Sequence, residues 1–157
     1  MRSRGFTLVE LVVTVAIVSV LAAAVVPSAQ LMVQRDRERE LRVALRTIRG
    51  AIDAYKLASD AGRIKKELGK PGYPPDLQSL VDGVDDASNP KGGVKLYFLR
   101  KLPRDPLWPD ATTPAAETWG LRSYASPPDD PQPGDDVYDV HSRSSRTGLD
   151  GVPYRDW

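Results

Sequence analysis

Residues Leu8 to Val26 form an unbroken 19-residue stretch in which Thr14 and Ser19 are weakly polar and Glu10 is the single acid. As a helix rising about 1.5 Å per residue, the stretch reaches roughly 28 Å, close to the hydrocarbon thickness of a bilayer. A segment apolar on every face has to be covered by lipid or protein, so the run predicts a membrane-spanning helix. Arg2 and Arg4 precede it, and the positive-inside bias sets them in the cytoplasm with the rest of the chain outside. A cleaved secretory signal shares the basic start, with Pro27-Ser28-Ala29 as a small-residue cleavage site, and this alternative stays open. Against it stand the run's length, beyond the usual ~7–15 residues of a signal core, and the acid inside it.

A carboxylate near the bilayer interior costs about 2.5–3.5 kcal/mol on insertion scales, so Glu10 calls for a partner or a shallow position in the headgroup zone. A cut between Gly5 and Phe6 supplies the partner. It creates a positive amine at Phe6, four residues before Glu10. When such helices pack side by side, the acid of one neutralises the amine of its neighbour and fixes their axial register, as a buried polar residue does in a coiled coil.

Beyond the apolar run the helical pattern continues. Gln34-Arg35-Asp36-Arg37-Glu38-Arg39-Glu40 is a collar of mixed charge suited to a water interface. Leu41, Ala44, Leu45, Ile48, Ala51, Ile52, Tyr55 and Ala58 then recur at the spacing of one helical face. One helix over 6–59 is the economical reading, spanning the membrane at 8–26 and amphipathic over 41–58. Pro27 should kink or locally melt it, since proline has no N–H and crowds the preceding turn.

Composition narrows the remainder. With 157 residues there is room for one small domain beside the anchor, and 22 Lys and Arg against 21 Asp and Glu leave no field that would draw nucleic acid. Absence of cysteine excludes disulfides, thiolate metal sites and a cysteine nucleophile. With His141 as the lone histidine and no nucleophile elbow, phosphate loop or paired zinc-binding histidines, no catalytic constellation is present and an enzyme is not expected.

Most of the 14 prolines and 12 glycines fall after residue 50, which predicts a loop-rich head over 60–157. A short helix over Asp76 to Val81 is expected behind Pro75, with Tyr97, Phe98, Leu99 and Leu102 packed under the long helix. Leu121 to Ser126 and Val137 to Ser142 read as strands, and the prolines between them exclude a tight hairpin. The fold class is α+β: a long N-terminal helix carrying a small head of short antiparallel sheet.

Gly5-Phe6-Thr7-Leu8-Val9-Glu10 behind a short basic leader, with Pro27 further along, resembles the processing signal of the type IV pilin and pseudopilin superfamily. The resemblance implies a leader over 1–5, removal of it after Gly5 by a prepilin peptidase, N-methylation of Phe6 and a pilin-like fold. It further implies a single-pass inner-membrane precursor with a periplasmic head, handled by an inner-membrane assembly platform. Assembly would be into a helical homopolymer together with other pseudopilins. Leu102-Pro103-Arg104-Asp105-Pro106, Trp119-Gly120-Leu121-Arg122-Ser123-Tyr124, Val137-Tyr138-Asp139-Val140-His141-Ser142 and the terminal Asp156-Trp157 are similar to the major pseudopilins of type II secretion, the protein G branch. That branch runs Asp-Pro-Trp-Gly nearly continuously, whereas Leu107 to Thr118 is inserted here. A type IV pilus subunit is one alternative, disfavoured by the missing cysteine pair. A secreted, calcium-dependent binding module with a removed signal peptide is the other.

Asp129, Asp130, Asp135, Asp136, Asp139, Asp150 and Asp156 give the C-terminal stretch an oxygen supply suited to a hard cation. The resemblance implies calcium in the loop after the second strand, with Asp139, Ser142, Asp150 and Asp156 as candidate ligands. Arg143 and Arg146 stand in that loop and oppose a cation. The competing reading is a solvated acidic loop in which Asp150-Gly151 is only a turn.

Overall fold

A computed structural model describes residues 5–89 and 92–157, with the side chains of 23–29 also outside the description. The leader arginines Arg2 and Arg4 and the turn residue Pro90 therefore lie outside the described residues. The chain divides into two compact units, 1–36 and 37–157, each taken by itself below.

Helix α1 runs Leu8–Asp60, matching the single helix expected from the periodicity. It stays helical through Pro27, so the local melting expected there does not occur. The physical reason is that one proline deletes one backbone bond, while the turns on either side keep theirs. In the first unit, Leu8, Val9, Leu11, Val12, Val13, Val15, Ile17, Val18, Val20 and Leu21 are all exposed. Thr14 and Ser19 turn their hydroxyls back to the carbonyls of Leu11 (2.9 Å) and Val15 (2.7 Å), so neither leaves a donor unsatisfied in an apolar setting. Among the described residues no helix is long and apolar enough to cross a membrane. The run read as a span, Leu8 to Val26, extends into residues whose side chains are outside the description.

In the second unit every member of the predicted stripe, Leu41, Ala44, Leu45, Ile48, Ala51, Ile52, Tyr55 and Ala58, is buried. Against it pack Leu77, Leu80, Leu102, Trp119, Val137, Val140 and Tyr154. Each large apolar side chain so covered contributes about 1.5–3 kcal/mol of transfer free energy. The stripe is thus the seat on which the head is built.

Helix α2 is shorter than the sequence suggests, Ser79–Asp82. It starts late because Asp76 Oδ1 accepts the Ser79 amide at 2.7 Å, drawing the preceding residues into a turn. Phe98 packs on Tyr55 with ring centroids 5.3 Å apart and the rings tilted by 52°, and Leu99 joins it at the core. Tyr97 departs from expectation and is 65% exposed, because the Phe98 and Leu99 amides both bond the Leu80 carbonyl and leave Tyr97 on the outer side.

Two small antiparallel sheets form the rest. Strands β1 (Val84–Asp85) and β2 (Lys95–Leu96) pair Val84 with Leu96, in a region whose turn residues masked any strand signal. Strands β3 (Trp119–Arg122) and β4 (Asp139–Ser142) pair Trp119 with Ser142 and Arg122 with Asp139. Opposite His141 stands Gly120, where an added Cβ would lie 2.1 Å from His141 Nε2, so the strand accepts the imidazole only because no side chain is there. The inserted segment closes at its neck, where Thr118 Oγ1 accepts the Asp105 amide at 3.1 Å. Arg104 donates to the Thr113 and Asp110 carbonyls within it.

Candidate functional site

Two regions carry the residues singled out from the sequence. At the start of α1, Gly5 and Phe6 precede the first helical turn and Phe6 is 80% exposed. Glu10 Oε2 accepts both the backbone amide and the hydroxyl of Thr7 at 2.9 Å, while the Glu10 amide donates to Thr7 Oγ1 at 3.2 Å. This is a capping box: threonine before the first turn and a glutamate three residues on satisfy each other's otherwise orphaned donors. The Thr-x-x-Glu spacing was present in the sequence as a signal for this role of Thr7. Glu10 therefore has a structural partner, Thr7, within its own chain.

The second region joins the middle of α1 to the C-terminal segment. Glu38, read from the sequence as part of a solvated collar, is only 4% exposed. Its Oε1 accepts the Leu149 amide and the Tyr154 hydroxyl, both at 2.9 Å. The signal for this lay in the spacing, because Glu38 precedes Leu41 by three and Leu45 by seven residues and so extends the buried stripe. Arg42 stacks on the Trp157 ring at 4.2 Å and pairs with Asp150 at 3.3 Å. Arg49 Nε donates to Asp139 Oδ1 at 2.7 Å, and its Nη2 reaches the Val140 carbonyl (3.1 Å) and a main-chain oxygen of Trp157 (2.7 Å). Gly148 lets the Trp157 indole lie on the loop, since an added Cβ would stand 2.6 Å from that ring.

The four candidate calcium ligands are not brought together. Asp139 and Ser142 lie on opposite faces of β4, as their odd and even positions require. Ser142 is fully buried, donates to Asp105 Oδ2 at 2.6 Å and accepts the Ser144 amide at 3.1 Å. Asp150 divides its oxygens between Arg42 and the Val152 amide. Asp156 pairs with its neighbour Arg155 at 3.3 Å. Among the described residues no group of three or more acids or histidines is placed to hold a metal. The donor set does not fit the calcium that the pseudopilin resemblance implies.

Comparison with known proteins bears on the first region most directly. The prokaryotic N-terminal methylation motif matches residues 1–26. The type II secretion system core protein G of Klebsiella pneumoniae is 34% identical over 111 residues, covering 69% of this chain and 72% of that protein. The core protein G of Pseudomonas aeruginosa is 34% identical over 108 residues, 67% of this chain and 68% of the relative. That of Klebsiella michiganensis is 29% identical over 140 residues, 85% and 88% of the two chains. No solved structure matches the chain.

Proposed function

Because the chain belongs to the family of the type II secretion system core protein G, we propose that it is a structural subunit of a pseudopilus, made as a membrane-anchored precursor and polymerised for protein export. The observation that carries this reading is the first unit of α1: its apolar side chains from Phe6 to Leu21 are exposed around the whole helix. A helix apolar on all sides is covered by lipid before assembly and by copies of itself afterwards. The same surface serves in both settings.

In this reading a prepilin peptidase cuts after Gly5 and the new terminus at Phe6 is methylated, consistent with the methylation motif over 1–26. The precursor is held in the inner membrane through α1, with its head in the periplasm and an inner-membrane platform adding subunits. Glu10 of one subunit meets the Phe6 amine of the next and sets the step between them. Pro27, lacking one helical hydrogen bond, is where α1 can bend to accommodate packing. Head-to-tail addition of identical subunits generates an open helical array, whose growth displaces whatever stands at its tip.

The test is to express the chain beside a type II secretion system, shear the cells and sediment the released material. Filaments reacting with an antibody to residues 123–138 are expected. Recovery solely as a detergent-soluble monomer would refute polymerisation.

A further inference from the structure

We infer that arginines of α1 hold the segment after β4 in this chain, doing with guanidinium groups what the pseudopilin resemblance assigns to calcium, so that the head closes without a divalent cation. The inference concerns the folded head alone and stands apart from polymerisation.

Several of the oxygens that a cation would need are already engaged by this chain's own donors. Calcium takes about six to eight oxygens at roughly 2.3–2.6 Å. Asp139 Oδ1 receives Arg49 Nε and also the Val140 amide, each at 2.7 Å. The Val140 carbonyl and a main-chain oxygen of Trp157, which would otherwise be open to a cation, both accept from Arg49 Nη2. Asp150 Oδ1 closes its own turn through the Val152 amide, and Oδ2 faces Arg42. Two guanidinium groups are fixed there by stacking and hydrogen bonding, and each already neutralises one of the candidate carboxylates, Arg49 that of Asp139 and Arg42 that of Asp150. A divalent ion would have to displace these groups, with no free carboxylate pair to receive it.

The geometry requires arginine specifically. One planar fork spans a strand carboxylate, a strand carbonyl and a C-terminal main-chain oxygen at once, linking β4 and the chain end to α1. A lysine ammonium has three donors but carries them on one nitrogen, so it lacks the flat fork that reaches Asp139 from Nε and the other two oxygens from Nη2. Glu38, one turn before Arg42, secures the far end of the same segment through the Leu149 amide and the Tyr154 hydroxyl. Glu38, Arg42 and Arg49 therefore form a single row on α1 that replaces a metal-ordered loop with side chains encoded in the helix.

The experiment is hydrogen exchange and thermal unfolding of the full chain in detergent, in chelator and then with about 5 mM calcium chloride, enough to fill a site of extracellular-module affinity. The expected result is a melting temperature unchanged within about 1 °C and unchanged protection of the amides of 144–157. Arg49→Lys should raise exchange across 144–157 by about tenfold or more, with or without calcium. Should Arg49→Lys fail to fold, Arg42→Gln, at a more exposed position, should raise exchange over 148–152 in the same way. Stabilisation of the wild type by calcium of about 4 °C or more overturns the inference. So does unaltered exchange in a folded Arg49→Lys chain. Neither outcome alters filament yield as a measure of the pseudopilus reading, so the two claims fail separately.

Discussion

Glu10 closes a reciprocal hydrogen-bonded box with Thr7, accepting its amide and hydroxyl through one carboxylate oxygen. The residue proposed to meet a neighbouring subunit is thus already fixed against its own helix end. Such fixation lowers the rotamer entropy lost when the neighbour's amine arrives.

Capping and charge can be separated at this position. Glutamine preserves a capping box and removes the charge, whereas leucine removes both. Glu10→Gln is expected to keep the Thr7 amide protected from exchange and to yield few or no filaments. Glu10→Leu is expected to lose the protection of the Thr7 amide as well, while the amide of residue 10 still bonds Thr7 Oγ1. Wild-type filament yield from Glu10→Gln would show that register does not depend on the charge.

Truncating the buried Glu38 strands two donors, the Leu149 amide and the Tyr154 hydroxyl. Glu38→Ala should lower unfolding free energy by about 2 kcal/mol, while Tyr154→Phe should cost about 1 kcal/mol. Because the two share a bond, the double variant should fall short of the sum. Denaturant unfolding of the four proteins measures the coupling, and strict additivity would contradict the contact.

Ser142 is fully buried and donates to Asp105 across the neck of the inserted segment. Ser142→Ala leaves that carboxylate without this donor and should cost about 1–3 kcal/mol. The loss should be equal with and without calcium, as read from paired melting curves. A loss seen only with calcium would mean that Ser142 serves as a ligand.

Acid should release one specific clip. The Arg63 guanidinium, bonded to Asp86, holds that carboxyl at about 2, and the Ser88 hydroxyl and amide add to the effect. A carboxylate with a depressed folded pKa stabilises the fold above its unfolded value near 3.8 and loses that contribution as pH falls toward about 2. The melting temperature of Asp86→Asn should lie below wild type at neutral pH, with the gap closing between about pH 4 and pH 2. A gap that is constant with pH would contradict the ion pair.

The helix and its seat were legible because periodicity reports burial: each apolar residue from Leu41 to Ala58 that the spacing picked out is buried. The strands β3 and β4 were legible in kind but not in bounds: β3 begins two residues before the expected Leu121 and ends at Arg122, and β4 begins two residues after Val137, because strand ends depend on pairing partners far along the chain. The pair β1 and β2 escaped notice, being two residues each among glycines and prolines that read as loop. Of the site residues, Glu10 stood out as an acid in an apolar run, while Glu38 and Arg49 looked like ordinary surface charges. Their roles depend on contacts more than 85 residues away in sequence, which no local pattern encodes.

The central claim is that the exposed apolar start of α1 is retained in the mature subunit and begins at Phe6. Mass spectrometry of the processed protein from membranes and sheared filaments tests it directly. The account predicts a polypeptide starting at Phe6 and carrying one added methyl group on its terminal amine. A soluble polypeptide starting near Gln30, with the apolar run removed, would contradict it.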